Sequence, residues 1–503
     1  MHFNRGDVMF KCATPESVGI SSKWIYKYIK GLNDNVHMHS VIMARGDSIF
    51  YECYWKPFDK DFCHRMYSVT KSFVSVAVGL CVEDGLIDLD KPIVEYFKDK
   101  IKKEPSEYTK KQTVGDMLTM TTTGFGRSWF SENVFDRTEF YLNESHKNRP
   151  SGTIWEYDSA GSQVLSSLVE RVTGKKLFDL LNERIFKELG AFKSATILKT
   201  PNGDSWGDSA LICTPRDLLT FARFVLNYGV YNGKRLLNED YLRIATSRVV
   251  DNGTNGHRWS FRNGYGYQFW RGPKNSFAFV GMGDQLAICI PSKDLIFVCT
   301  ADNQGNERAR EYIVSRLFEY IVDEIIDTPL DEDKEYSSKL RELTESLELY
   351  YEKGFYDTFT RQKINGATYK CESNPMGIKE FRFDFENEST GTLTYENENG
   401  TMVLPFKVNG NYFGKFCELG YSNEYGGLRT QDGFKYNCAT SFAWTQENKI
   451  TLFSQIIDRY FGNVTFSFVF KGDLAYLNCE KVAEDFLWQY NGSCVAKKEN
   501  FNI

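Results

Sequence analysis

The sequence predicts an α+β fold, in which an antiparallel sheet flanked by helices precedes a C-terminal domain made mostly of β-strands. Three observations support this prediction: two neighbouring apolar runs at 286–290 and 295–299, segments of helical spacing ahead of them, and short alternating strands near the C-terminus. A chain of 503 residues is too long for one compact core. We therefore expect one domain over residues 1–328, followed over residues 329–503 by a helical linker and an antiparallel barrel or sandwich.

The two apolar runs predict the sheet. Hydrophobic side chains occupy both faces of each run, and Pro291 and Asp294 mark a turn between them. Cys289 and Cys299 fall within the runs, where a thiol behaves as a small hydrophobe. Because neither face of such a sheet tolerates water, we expect helices on both sides of it.

The helices are predicted from a period close to 3.6. After Ser68, apolar residues recur at this spacing at Val69, Phe73, Val76 and Leu80, and Gly85 supplies a stop signal. A second segment of this kind extends from residue 159 to residue 172, and Gly174 follows it. Each segment therefore has an apolar face that can cover the sheet.

The C-terminal region shows a period of two instead. In its clearest strand, Val464, Phe466, Phe468 and Phe470 fall on one face, and Thr465 and Ser467 fall on the other. Further along, a spacing of four predicts a closing amphipathic helix through Val482, Phe486 and Tyr490. We therefore expect a small barrel or sandwich that a helix closes.

Composition and charge exclude several classes of partner. The formal net charge is -6 and no run of Lys and Arg occurs, which argues against nucleic acid. No stretch approaches the ~18 apolar residues of a membrane helix, and the start lacks a signal-peptide core, so we expect a cytoplasmic protein without a membrane partner. The 12 cysteines form no C-x-x-C pair and the 6 histidines no H-E-x-x-H motif, so we expect neither a metal nor a cofactor.

Ser68 and Lys71 form an S-x-x-K motif at the start of a predicted helix. A serine is a weak nucleophile at neutral pH and needs a base within hydrogen-bond reach. Positions i and i+3 lie one turn apart on the same face of a helix, so Lys71 can reach Ser68. Such a lysine acts as a base when its amine is neutral, and burial against an apolar helix favours that form.

The surroundings of this motif resemble the superfamily of serine β-lactamases and penicillin-binding proteins, in particular class C β-lactamases and their esterase relatives. The span 38–97 has a strand hairpin, then the S-x-x-K motif, then a helix ending in E-D-G-L-I-D-L-D-K-P. The span 113–124 is similar to a second helix signature of that family. The resemblance covers about residues 10–325 and implies the family's fold for the first domain.

The family's second element, a Tyr two residues before Asn or Ser, is similar to Tyr157 and Ser159. The resemblance implies that Tyr157 relays a proton between Ser68 and the leaving group. Ser159 stands where the best-known members have Asn, which weakens the contact to a substrate amide.

The family's third element, K-T-G or H-x-G on a strand that lines the site, is altered here. Counting back from Pro291 puts Ser276, Phe277 and Ala278 at its place, and none of them is a cation. Lys274 lies two residues earlier and could share a face of an extended strand. The resemblance implies that the backbone N–H near Phe279 forms the oxyanion hole with that of Ser68.

These residues imply a serine hydrolase that cleaves an ester or amide through an acyl-enzyme at Ser68, with Lys71 and Tyr157 as acid and base groups. The expected substrate is a small-molecule ester, amide or peptide. A D-amino-acid peptidase or a β-lactamase proper is an alternative. A non-catalytic binding or sensor protein on the same scaffold is another, since the third element lacks its cation. The sequence leaves open whether copies of the chain form a homo-oligomer.

Overall fold

The chain forms two compact units in a computed structural model. The structure describes residues 10–124, 134–144, 149–253, 259–306, 308–420, 422–426, 434–483 and 490–499. Unit 1 comprises Met1–Glu348 and Glu424–Gly427, and unit 2 comprises Leu349–Asn423 and Leu428–Ile503. Within the described ranges, no helix is both long and apolar enough to cross a membrane.

Unit 1 contains short and long elements of both kinds. Its helices are α1 Ser22–Asn35, α2 Thr70–Glu83, α3 Glu107–Lys111, α4 Val114–Leu118, α5 Arg137–Asn143, α6 Ser159–Thr173, α7 Leu177–Leu181, α8 Lys187–Leu189, α9 Pro215–Leu226, α10 Glu239–Ala245, α11 Ala309–Leu317 and α12 Lys334–Ser346. Its strands are β1 Lys11–Cys12, β2 Met38–Arg45, β3 Ser48–Tyr54, β4 His64–Arg65, β5 Thr196–Ile197, β6 Leu211–Cys213, β7 Val230–Tyr231, β8 Lys234–Arg235, β9 Trp270–Arg271, β10 Phe277–Gly281, β11 Gln285–Ile290 and β12 Leu295–Ala301.

The main sheet of unit 1 has seven strands among the described residues, in the order β1-β3-β2-β12-β11-β10-β9. All neighbours are antiparallel except β1 and β3. Phe279 and Cys289 belong to a core shared with α2, α6 and α9, whereas Phe297 and Cys299 belong to a second core shared with α1 and α11. Helices therefore cover both faces of the sheet, which confirms the prediction from the two apolar runs.

Helix α12 belongs to unit 1. The Tyr336 ring lies 5.8 Å from that of Tyr26 in α1, and the hydroxyl oxygens of Ser337 and Ser22 are 3.3 Å apart. Unit 1 accordingly extends to Glu348, beyond the expected boundary at residue 328. Part of the segment expected to be a helical linker is thus packed against α1.

Unit 2 is mostly β. Its described helix is α13 Phe359–Ile364. Its strands are β13 Thr368–Cys371, β14 Glu380–Phe385, β15 Thr390–Asn397, β16 Gly400–Val408, β17 Tyr412–Lys415, β18 Asn437–Gln446, β19 Lys449–Ile457, β20 Phe461–Lys471, β21 Leu474–Ala483 and β22 Gly492–Lys498.

Nine of the described strands close into a barrel. The sequence predicts a barrel or a sandwich for this region, and the structure has the barrel. Closure is made by β16 and β18, which pair in parallel with Val408 opposite Phe442, while β17 pairs with β18 outside the ring. The expected closing helix is wrong at its start, because Val482 lies in β21. Phe486 lies outside the described residues, and Tyr490 is buried just before β22.

Candidate active site

Ser68 lies in a tight 3-10 turn, Tyr67–Val69, between β4 and the start of α2. Tyr67 has a φ of +47°, which is strained for a residue with a side chain. The turn is held from behind, because the hydroxyl of Thr70 donates to Tyr67 O at 2.6 Å and accepts from the N–H of Leu211 at 3.0 Å. The turn thus leaves Ser68 half-buried while its neighbours are buried.

Lys71 reaches Ser68 as the i, i+3 spacing predicts. Its Nζ donates to Ser68 Oγ at 2.8 Å and to the backbone oxygen of Asp208 at 2.7 Å. The residue is 1% exposed, and its Nζ lies 5.1 Å from the centroid of the Tyr157 ring. The structure therefore brings Ser68, Lys71 and Tyr157 together.

Tyr157 is positioned by the residue that follows it. Asp158 caps α6 by accepting from the Gly161 N–H at 2.8 Å, and it also accepts from the hydroxyl of Tyr141 at 3.1 Å. The Tyr157 ring stacks on Trp270 of β9 at 5.6 Å. The cap fixes the backbone next to Tyr157, the stacking on Trp270 holds its ring, and the Lys71 Nζ lies 5.1 Å from the ring centroid.

Ser159 and Ser276 are less engaged. Ser159 begins α6 and makes no hydrogen bond to Ser68 or Lys71 among the described residues. Ser276 precedes β10, is fully buried, and its hydroxyl has no hydrogen-bond partner in the described part of the chain. Neither serine forms a hydrogen bond with Ser68 among the described residues. Both assignments therefore stay predictions.

Strand β10 approaches the nucleophile at its far end. A Cβ placed on Gly281 would lie 2.4 Å from Met66 O, two residues before Ser68, so a side chain there would push the strand away. Ala278 pairs with Ile288, and the Phe279 ring points into the core. The oxyanion role of the Phe279 N–H stays a prediction.

Lys274 does not share a face of this strand, and that interpretation is wrong. It lies in a 3-10 turn, Pro273–Asn275, with a φ of +52°, ahead of a strand that begins at Phe277. Its Nζ forms an ion pair with Asp323. The turn therefore directs the ammonium away from the strand that was expected to carry it.

Asp208 is a site residue that sequence reasoning missed. Its carboxylate Oδ2 lies 3.8 Å from Lys71 Nζ, and the residue is 2% exposed. Burial raises the pKa of Asp208, while the positive charges of Lys71, Arg137 and Arg65 oppose the rise. A segment without a recognisable motif, 137 residues from Lys71, gave no signal for this contact.

Two buried arginines stand beside Asp208. The ring of Trp206 lies between them, and its centroid is 4.4 Å from Arg65 Cζ and 4.8 Å from Arg137 Cζ. Gly426, in the part of unit 1 that comes late in the sequence, packs on this indole so closely that a Cβ would lie 1.7 Å from Trp206. The guanidinium of Arg137 donates to Gly426 O at 3.2 Å. Arg65 and Arg137 thus place two positive charges close enough to act on the carboxyl of Asp208.

The chain matches the model of a known protein family. The model of the family described as Beta-lactamase matches residues 27–318, more than half of the chain. The 6-aminohexanoate-dimer hydrolase of Paenarthrobacter ureafaciens is 27% identical over 216 residues, which are 40% of this chain and 55% of that protein. The chain thus spans about half the length of this relative. An uncharacterized protein of Alkalihalophilus pseudofirmus is 24% identical over 312 residues, 54% of this chain and 86% of that one.

Two solved structures are similar at low identity. The octameric penicillin-binding protein homologue from Pyrococcus abyssi is 14% identical, with a TM-score of 0.49 over 94% of this chain and 99% of that one. A penicillin-binding protein homologue from Caulobacter crescentus is also 14% identical, with a TM-score of 0.49 over 60% of this chain and 99% of that one.

Proposed function

Because the chain belongs to the Beta-lactamase family, we propose that it is a serine hydrolase that cleaves an ester or amide through an acyl-enzyme at Ser68. The observation that carries this proposal is the 2.8 Å hydrogen bond between Lys71 Nζ and Ser68 Oγ. A buried lysine amine held on a half-exposed serine hydroxyl has little structural purpose, because a smaller polar side chain could satisfy the same hydroxyl.

The reaction has two halves. In the first, Ser68 Oγ attacks the substrate carbonyl carbon, its proton passes to the Lys71 and Tyr157 pair, and that pair protonates the leaving group. The Ser68 N–H at the start of α2, with a second N–H from β10, stabilises the oxyanion. In the second half, water replaces the leaving group, attacks the acyl carbon and releases Ser68.

The substrate class follows from the charges near the nucleophile. Strand β10 carries no cation, and Lys274 pairs with Asp323 instead. A cation on this strand that binds a substrate carboxylate contributes ~1.5–3 kcal/mol, so its loss costs about one to two decades in kcat/KM. Neutral esters and amides are therefore the preferred class.

This preference is tested by kcat/KM for a cephalosporin and for a short-chain aryl ester. We expect the ester to be preferred, and Lys274→Ala to change neither value because its ammonium points elsewhere. A cephalosporin preferred by about tenfold or more would contradict the assignment of substrate class.

The acyl-enzyme is tested by labelling with a fluorophosphonate and locating the adduct by mass spectrometry. We expect one adduct on Ser68 and none in Ser68→Ala. Ser72→Ala is the matched control, because Ser72 lies on the same helix but donates to Gln268 O at 2.7 Å, and it should label like the wild type. A folded wild type that neither labels nor hydrolyses would favour the binding or sensor alternative.

A further inference from the structure

Three cysteines of unit 2 lie on one face of the barrel, close to each other. Cys371 is the last residue of β13 and pairs with Ala496 of β22. Cys494 lies two residues before Ala496, and Cys479 of β21 pairs with Gly492, two residues before Cys494. Because alternate residues of a strand point to the same side, all three thiols share the face of the buried Ala496. Cys494 therefore has a cysteine on each neighbouring strand.

The strands on either side of Cys371 are held in register by backbone hydrogen bonds. Just beyond Cys371, the Glu372 N–H donates to Val495 O at 2.9 Å, and the Cys371 N–H donates to Lys379 O at 2.8 Å. Cys371 and Cys494 are diagonal neighbours on one face of this antiparallel pair, and side chains in such positions can reach each other. A bond between their sulfurs therefore requires rotation of the side chains and no new strand pairing.

Access and ionisation distinguish the three thiols. Cys371 and Cys494 are half-buried, whereas Cys479 is 2% exposed, and burial raises the pKa of Cys479. The interaction with the Cys371 thiol lowers the pKa of Cys494, against the opposing effects of burial and of the Glu372 charge. The same interaction, together with partial burial, raises the pKa of Cys371. Oxidation begins at an accessible thiol with thiolate character, and of the three Cys494 fits this description best.

We propose that Cys494 and Cys371 form an oxidation site, at which a peroxide converts the two thiols into a disulfide between β22 and β13. Cys494 is the thiol that the peroxide oxidises, and Cys371 is the thiol that completes the bridge. Cys479 takes no part, because it is the least accessible of the three. The bridge closes a loop that contains most of unit 2.

The reaction balances in two steps. The Cys494 thiolate attacks one oxygen of the peroxide, the O–O bond breaks, and the leaving oxygen takes up a proton, which leaves a sulfenic acid on Cys494. The Cys371 sulfur then attacks the Cys494 sulfur, the S–O bond breaks, and water leaves with the proton of the Cys371 thiol. The two cysteines lose two electrons in total, and the peroxide gains them.

The test is treatment of the full chain with hydrogen peroxide, followed by alkylation of the remaining thiols before unfolding, digestion and mass spectrometry. We expect one pair of cross-linked peptides, joined through Cys371 and Cys494, and we expect dithiothreitol to separate them. With dimedone present, Cys371→Ser should form no cross-link and should carry the adduct on Cys494, since a serine hydroxyl can still donate to the thiolate. In Cys494→Ser, an adduct on Cys371 should form at least ~10-fold more slowly.

Three results would overturn the proposal. A cross-link between Cys479 and Cys494 in the wild type would identify the wrong partner. Equally fast adducts on Cys371 and Cys494 in the two single variants would remove the distinct role of Cys494. A folded wild type in which Cys494 is oxidised without any cross-link would show that the two sulfurs do not meet.

Matched controls come from the same barrel. Cys479→Ser removes the third thiol of the group and should leave the cross-link between Cys371 and Cys494 in place. Cys417→Ser removes a buried thiol that lies 3.2 Å from the Tyr395 hydroxyl, and it should oxidise like the wild type. If Cys371→Ser fails to fold, Cys371→Ala provides the same test, because it also lacks the thiol that completes the bridge. A cross-link at Cys494 that persists in either Cys371 variant would contradict the assignment.

Discussion

Each unit of the molecule buries a carboxylate, and the two have opposite surroundings. Asp208 in unit 1 faces the ammonium of Lys71 at 3.8 Å. The donors to Glu418 in unit 2 are neutral among the described residues: its Oε1 accepts from Asn397 Nδ2 at 2.7 Å, from the Tyr395 hydroxyl at 3.3 Å and from the Tyr490 hydroxyl. The first carboxylate lies beside a basic side chain, whereas the second accepts hydrogen bonds from an amide and two phenols.

The raised pKa values of the two barrel tyrosines agree with a structural role for the Glu418 cluster. Burial raises the pKa of Tyr395 and of Tyr490, and the charge of Glu418 raises both further. Neither phenol ionises at physiological pH, so the cluster stays a set of fixed hydrogen bonds. We therefore interpret the buried carboxylate of unit 1 as part of the candidate site and that of unit 2 as part of the packing of the barrel.

Truncating one buried phenylalanine in each unit is expected to give the largest effects. Phe383, 4.9 Å from the ring of Phe468 inside the barrel, and Phe73, 3.8 Å from the ring of Phe221 behind the nucleophile, are both fully packed. Each change to Ala should lower the free energy of unfolding by about 3–5 kcal/mol. Denaturant unfolding and the Ser68 labelling rate are measured together.

Only Phe73→Ala should slow labelling, because Phe73 supports the helix that carries Lys71. Since we propose that the two units fold as separate cores, Phe383→Ala should label at the wild-type rate. Slow labelling in both variants would break the comparison and make the barrel part of the catalytic unit.

Removing the acid–base groups should have the next largest effect. Lys71→Ala and Tyr157→Phe should each lower kcat for an aryl ester by ~10²-fold or more. Tyr490→Phe removes a buried hydroxyl of the same kind from unit 2 and should change kcat less than about twofold. Unchanged rates in both unit 1 variants would mean that another group is the base.

The parts of the site that the sequence predicted are local in the chain. Ser68 and Lys71 meet because one helical turn separates them, and a pattern of four letters contains that geometry. The covering of the sheet was also predictable, since both faces of β11 and β12 are apolar. Both predictions rest on periodicity, which the sequence shows directly.

The parts that were missed depend on tertiary contacts or on a change of backbone. Asp208 reaches Lys71 across 137 residues, and its own segment has no pattern. Lys274 was misplaced because a 3-10 turn precedes β10, where an extended strand was assumed. Val482 has the spacing of a helix, but its pairing with Asn463 continues the barrel. In each case the packing overrides local preference.

Acid should destabilise unit 1 through buried histidines. Burial lowers the pKa of His64 to about 3 and lowers that of His39, whose Nδ1 is 3.2 Å from His64 Nε2. In the unfolded chain these histidines bind a proton near pH 6.5, whereas in the folded chain they stay neutral at that pH. The free energy of unfolding is therefore at its full value above pH 6.5 and falls as the pH drops below it. The free energy of unfolding should drop by about 1.4 kcal/mol per pH unit for each such proton.

The measurement is denaturant unfolding of unit 1 at several values between pH 7 and pH 5. His64→Asn should be less stable at pH 7 and should show a shallower slope with pH. A slope that is the same in wild type and variant would assign the acid sensitivity to other groups.

The smallest expected effect compares the two carboxylates directly. The negative charge of Glu418 strengthens its hydrogen bonds to the tyrosine hydroxyls. Glu418→Gln keeps an acceptor oxygen for these hydroxyls but removes the charge. The free energy of unfolding of unit 2 should fall by about 1 kcal/mol, because charged and neutral hydrogen bonds differ by roughly that amount. Since no proton of Glu418 or of its tyrosine partners takes part in the proposed chemistry, the rate of labelling at Ser68 should stay at the wild-type value. Slower labelling in a folded Glu418 variant would show that the barrel carboxylate influences the nucleophile, and the distinction between a site in one unit and packing in the other would fail.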